Sequence, residues 1–267
     1  MSDLPINIQA VWRHIMDDKN IMDLVKELKF DGMKETLFSR LKEARENNLS
    51  YEEFMGFLLQ DEKQLRGSKA LSSKLRSARF EEEKTLETLD LTVYSAESKR
   101  IINHLGSGGY LREKKNIIIL GPTGTGKTHL AQALGHDACR RGKKVRFIRA
   151  SSMVAEFQGA RADDSWKSVL NKYVRTDLLI LDDFGLKALT HPQACDLYEL
   201  IASKHINSSF VITSNRKTES WLELFPDPVM ANAALDRIVH NSFCLVLDGE
   251  SYRKNFIPKL PKEDCKK

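Results

Sequence analysis

A parallel α/β domain with helices on both faces of its sheet, preceded by a small all-helical domain, is the fold this 267-residue sequence predicts. Three observations carry it. Past residue 90, short runs that are apolar throughout alternate with helical stretches, the pattern of strands covered on both faces. Before residue 60 the apolar residues recur at helical spacing. Between the two lies a proline-free stretch rich in Lys, Arg, Glu, Ala and Leu, which reads as an exposed helix rather than a loose tether.

The elements follow in order. Ile21, Leu24, Val25 and Leu28 fall at i, i+3, i+4 and i+7, and Met33, Leu37, Leu41 and Ala44 continue a stripe after Gly32. Ser50 and Glu53 form a capping box that opens a third helix, with Phe54, Phe57 and Leu58 on its apolar face. These helices define an N-terminal domain over 1–62. A basic helical linker follows over 63–86, then an α/β domain over 87–260 and a tail over 261–267. The strands are NIIILG (116–121), VRFIRA (145–150), LLILDD (178–183), FVITSN (210–215) and FCLVL (243–247). Amphipathic helices are expected over 129–140 and 191–205, and a further helix after VRFIRA runs through Glu156, Phe157, Arg161 and Lys167.

Composition excludes several classes. With 41% hydrophobic and 30% charged residues the chain buries a substantial core without disulfide staples. No stretch approaches the roughly 18 apolar residues of a membrane helix, and the start MSDLPINIQAVWRH lacks the pattern of a secretory signal. The 4 cysteines form no CxxC pair, so a reducing cytoplasm is expected. The 7 histidines include no HExxH, so a histidine metal cage is not expected. A net charge of +5 names no partner by itself, but its distribution is uneven. Lys63, Arg66, Lys69, Lys74, Arg76 and Arg79 occur without an intervening acid, and Glu81, Glu82 and Glu83 then reverse the sign.

The residues that carry chemistry begin with Gly121, Pro122, Thr123, Gly124, Thr125, Gly126, Lys127 and Thr128, which match G-x-x-x-x-G-K-T between an apolar strand and a helix. Glycines let backbone N–H groups curl round phosphates, Lys127 reaches the β and γ oxygens of ATP, and Thr128 offers its hydroxyl to Mg²⁺. Asp182 ends an apolar strand where a carboxylate can anchor the same Mg²⁺, and Asp183 beside it can polarise the attacking water; each also suits a strand-end turn. If FVITSN lies between the phosphate-loop strand and the Asp182 strand, Asn215 faces the γ-phosphate; otherwise it caps a turn.

GPTGTGKTHLAQALG, LLILDDFG, ITSN and ALDRIVHN, with LKFDGM upstream and the basic SSKLRSARF, closely resemble the IstB family, the AAA+ helper ATPases that insertion sequences encode beside their transposase. The resemblance covers nearly the whole chain. DnaC-type helicase loaders share the ATPase motifs, and LKFDGM with the basic bridge tips the choice towards IstB. The resemblance implies an AAA+ sheet of order 5-1-4-3-2, Asn215 as the sensor of the γ-phosphate, and Arg237 as a finger inserted into a neighbouring subunit's site, where its guanidinium would offset developing charge. Without that role, Arg237 would pair with Asp236 or another acid. Two departures from the general pattern stand out. Asp182-Asp183 replaces the usual Asp-Glu, and too few residues follow the last strand for a helical lid, leaving Arg253 as the nearest stand-in for a lid arginine.

The expected activity is therefore an oligomeric, ATP-dependent regulator that binds double-stranded DNA with little sequence preference and stimulates a transposase. The alternative is a helicase loader, and a metabolite NTPase would need a substrate domain that the sequence does not indicate. By the same resemblance, DNA contacts are expected at Ser151, Ser152 and Arg161 on the helix after VRFIRA. Lys69, Lys74, Arg76 and Arg79 of the basic run are the other candidates, against the alternative of a solvated face.

Overall fold

The computed structural model describes residues 18–248, which divide into two compact units joined at 72/73. The first holds α1 (Asp18–Glu27), α2 (Asp31–Asn47) and most of α3 (Tyr51–Ala78). Ser50 and Glu53 make the reciprocal capping box at the start of α3. Helix α3 then runs on without interruption and ends at Ala78, short of the end of the 63–86 stretch expected to be helical. Gly32 lies in the first turn of α2, just ahead of the apolar stripe that starts at Met33. There it meets α3: a methyl group at Gly32 would come within 2.6 Å of the Glu62 Cα.

That close approach organises the small unit. No side chain of its own caps α2, and Glu62 from α3 does so instead, accepting the N–H groups of Gly32 at 2.6 Å and Met33 at 3.2 Å. Arg66 donates to Glu62 and to the Lys29 carbonyl and lies over the Phe30 ring, while Lys69 pairs with Asp31 at 2.5 Å. Arg40 grips Asp61 through two bonds of 2.9 Å. Met33, Leu37 and Leu58 form the buried centre, flanked by Ile21, Val25, Leu41 and Phe54.

The second unit contains α4 (Ala96–Gly106), α5 (Gly109–Glu113), β1 (Asn116–Leu120), α6 (Lys127–Arg140), β2 (Val145–Arg149), α7 (Ala150–Ala162) and α8 (Trp166–Val174). It continues through β3 (Leu178–Asp182), α9 (His191–Lys204), β4 (Ser209–Ser214), α10 (Pro228–Val239) and β5 (Ser242–Val246). The five strands are parallel and ordered β2-β3-β4-β1-β5, the AAA+ arrangement read from the opposite edge. Ile118, Leu120, Leu179, Leu181, Phe210 and Ile212 pack on one face against α7 to α10. Ile180, pointing the other way, meets α6 at Gly135. The sheet is thus the middle of three layers.

Asn116 secures the join between strands. Its side chain accepts from the Phe210 N–H of β4 and donates to the Ile238 carbonyl of α10. One expectation is corrected here: Lys167 does not share a helix with Glu156 and Arg161. Asp163 turns its carboxylate back onto the N–H and hydroxyl of Ser165, which ends α7 and lets α8 start afresh at Trp166. Among the described residues no helix is long and apolar enough to cross a membrane.

An alanine in an exposed helix normally stabilises it relative to glycine by up to about 1 kcal/mol. Gly32→Ala should have the opposite sign here, because the methyl group meets the α3 backbone. We expect a loss of about 1–3 kcal/mol in urea denaturation of the full chain followed by circular dichroism. An unchanged or raised midpoint would show that α2 and α3 do not pack at this distance.

Candidate functional site

The site forms where β1, β4 and β3 end side by side. Beyond Leu120 the chain turns through the glycine-rich loop, with the Gly121 N–H donating to the Ser214 carbonyl at 3.3 Å. Gly126, at φ 89°, ends the loop and serves as N-cap of α6; a side chain there would overlap the Tyr94 hydroxyl, which donates to the Thr125 carbonyl. Lys127 is 7% exposed, and its ammonium folds back over the loop to the Pro122 carbonyl at 2.7 Å. The Thr125 hydroxyl donates to the same carbonyl at 2.9 Å. A glycine-rich turn, a helix N-terminus and an ammonium therefore lie together, the chemistry that suits a chain of phosphates.

Asp182 closes the other side. It is 1% exposed, and its carboxylate accepts from Thr128 Oγ1 at 2.9 and 3.0 Å and from Thr213 Oγ1 at 2.6 Å. Burial pushes its carboxyl above the usual carboxylate range and the neighbouring Asp183 adds to the shift, while the Thr213 and Thr128 hydroxyls oppose it. A buried anion with only hydroxyl partners is an electrostatic match for a divalent cation. Thr128 and Asp182 are thus the pair that would hold Mg²⁺, beside the loop that would hold ATP.

Thr213 is the residue that sequence reasoning missed. It donates to Asp182 and accepts the Asp183 N–H at 2.9 Å, so one hydroxyl sets both acids. Asp183 itself has a left-handed backbone, φ 55°, which turns the chain sharply out of β3. Ser214 continues the lock by donating to the Phe184 carbonyl at 2.7 Å. A Thr-Ser pair ending the otherwise apolar run FVITSN was the available signal. Asn215 follows, exposed, between the ends of β1 and β3.

The remaining candidates lie apart from this centre. Arg237, in the last turn of α10, donates to the Ala233 carbonyl at 2.6 Å and lies 5.4 Å from the Tyr198 ring centroid. It does not pair with Asp236, which faces His240. An open groove lined by His205, Glu219, Leu222, Asn232 and Asp236 surrounds it and contains no residue of the phosphate loop. Ser151 and Ser152 are exposed in the first turn of α7, whose N-terminus has no side-chain cap. Arg161 is committed to the buried Asp196, which also accepts from Trp166 Nε1 at 2.7 Å. Lys69 is engaged by Asp31, Lys74 is half-buried, and Arg76 and Arg79 are exposed. Arg253 lies outside the described residues.

The model of the family described as IstB-like ATP binding protein matches residues 23–257. A Mycobacterium tuberculosis protein named as an ATP-binding protein in an insertion sequence is 39% identical over 237 residues, covering 88% of this chain and 94% of its own. The ATP-binding protein named for insertion sequence IS21 of Pseudomonas aeruginosa is 33% identical, over 86% of this chain and 87% of its own. Among solved structures, the DnaC helicase loader superposes with a TM-score of 0.51 at 19% identity, over 64% of this chain and 99% of that one. DnaA bound to AMPPCP and single-stranded DNA gives 0.53 at 21% identity, over 69% of this chain and 59% of that one. These two share the fold.

Two outcomes follow from the geometry. Thr213→Val keeps the shape but strips the hydroxyl from Asp182 and from the Asp183 N–H, so it should cost about 1–3 kcal/mol of stability and weaken Mg²⁺-dependent nucleotide binding. Thr213→Ser should retain both in calorimetry, and equal behaviour of the two variants would remove Thr213 from the site. Lys127→Ala should abolish nucleotide binding, whereas Asp183→Asn should keep it and slow hydrolysis by about 100-fold. Wild-type turnover in Asp183→Asn would end its assignment as base.

Proposed function

The chain belongs to the IstB-like ATP-binding protein family, and from that premise we propose that it is an ATP-dependent, oligomer-forming DNA-binding regulator. It prepares target DNA and stimulates the transposase of its own insertion sequence, acting in the cytoplasm. The observation that carries this reading is the Thr128–Asp182–Thr213 junction beside the glycine-rich loop, in a chain whose relatives at 39% and 33% identity are named for insertion sequences. The helicase-loader alternative has only the shared fold behind it, at 19% identity.

In this reading residues 121–128 hold the phosphates, and Thr128 and Asp182 hold Mg²⁺. Mg·ATP supplies a phosphoanhydride whose γ-phosphoryl group is transferred to water. Asp183 orients and deprotonates that water, and Asn215 senses the γ-phosphate. Arg237 of one subunit completes the site of the next; its present contacts are a carbonyl and an aromatic ring rather than a carboxylate, which leaves its charge uncompensated and available to an anion. DNA phosphates meet Ser151, Ser152 and the uncapped N–H groups of α7, together with Lys74, Arg76 and Arg79. Lys69, in the first unit, is a separate DNA contact that would exchange Asp31 for phosphate, and Arg161 fixes α7 through Asp196.

The function is tested by strand transfer with the transposase encoded beside this chain, with and without the protein and ATP. We expect stimulation that needs ATP and is lost in Lys127→Ala. Stable binding to a replicative helicase with no effect on strand transfer would favour the loader reading instead.

The trans role of Arg237 has its own check. Arg237→Ala and Lys127→Ala should each be inactive alone, yet a mixture should regain ATPase activity, because some junctions then join an intact phosphate loop to an intact finger. No recovery in mixtures that co-assemble by size would return Arg237 to a structural role.

A further inference from the structure

A strap of chain leads from the end of α3 along α6, the helix that starts at the phosphate loop. Phe80 stacks on His136 with ring centroids 4.2 Å apart, in the notch left by Gly135. Gln132, 3% exposed, accepts the N–H groups of both Glu81 and Glu82 at 3.1 Å. Further along, Glu87 pairs with Arg140, and Thr88 lies against His129. This is the segment in which the sequence reverses abruptly from basic to acidic, and none of these acids has a role in the reading above.

Glu81 is the one that touches the nucleotide side of the molecule. Its carboxylate accepts from Arg149 Nη2 at 2.7 Å, with both side chains about half exposed. Arg149 ends β2, and in the parallel register its Cα is the partner of Asp182. The guanidinium is held above its ordinary range first by Glu81 and then, more weakly, by the charges of Asp182 and Asp183. The ion pair of Arg149 is thus with the strap carboxylate, while the strand register sets its backbone beside Asp182. Asp182 in turn feels the charge of Glu81.

We propose that Arg149 is a positioning residue with two alternative partners, and that Glu81 holds it away from Asp182 and Asp183 so that these acids remain open to Mg²⁺ and water. The inference rests on the nucleotide-site reading above and adds the strap to it. If Arg149 leaves Glu81 it becomes a competing cation at the metal anchor. Because Glu81 follows directly from the end of α3, a displacement of that helix end is transmitted to the site as a change of partner for Arg149, with no change in the phosphate loop.

The test uses the full chain and compares Glu81→Gln, Arg149→Gln and the double variant. The readouts are the Mg²⁺ concentration needed for half-maximal binding of a fluorescent ATP analogue, and ATP turnover. Glu81→Gln should raise the Mg²⁺ requirement about fivefold, as expected when a partly exposed cation is released to compete. Arg149→Gln should not raise it, and the double variant should return to within about twofold of wild type. That reversal is what a merely structural ion pair would not produce, since breaking it from either side gives the same loss and the double variant would be no better than the singles. An unchanged Mg²⁺ requirement in Glu81→Gln, or a double variant as impaired as the single, would overturn the inference while leaving nucleotide binding intact. A wild-type chain that binds no Mg·ATP would overturn the nucleotide reading and this inference together.

Discussion

The carboxylate of Asp182 is buried at the end of a parallel sheet with hydroxyls as its neighbours, and much of the second unit is arranged to tolerate that. Removing an anion from water is costly unless charge or hydrogen bonds replace the lost hydration. Thr128 comes from the helix after β1, and Thr213 from β4, so the acid can be satisfied only if β4 lies between β1 and β3. The strand order and the chemistry are therefore one constraint. What the two hydroxyls do not neutralise is the charge itself, which is why the place suits a divalent cation.

The first unit solves a different problem with similar means. It has a small buried centre, and polar contacts at its corner supplement it. Glu62 supplies the missing cap of α2, Arg66 satisfies Glu62 and covers Phe30, and Lys69 reaches Asp31. The LKFDGM segment is thus the corner at which α1 ends and α2 meets α3, with Gly32 giving the clearance. Two cations of the basic run serve this corner. Charge that looks like a nucleic-acid footprint in the sequence is partly internal bookkeeping of the fold.

An AAA+ sheet is shared by initiators, loaders and insertion-sequence proteins, so the fold cannot choose among them. The choice rests on the family match and the relatives named for insertion sequences. The strap connects the end of α3 with the residues beside Asp182 through side chains that packing holds in place.

Strands, layers and the phosphate loop were legible in the sequence because each is written in contiguous residues. An apolar run between turns is a buried strand wherever it lies, and G-x-x-x-x-G-K-T between strand and helix carries its own geometry. Asp182 was legible for the same reason, as an acid ending an apolar run, and it is buried between Thr128 and Thr213. Thr213 was not, because its role arises only when the register sets it against a strand distant in sequence. Nor were the Glu62 cap, the breaking of α7 at Asp163, or the partners of Lys69, Arg161 and Arg149. Local sequence determines which segments are helices and strands. Which carboxylate a cation finds, and which hydroxyl a buried acid receives, is decided by the packing that brings distant residues within hydrogen-bond reach.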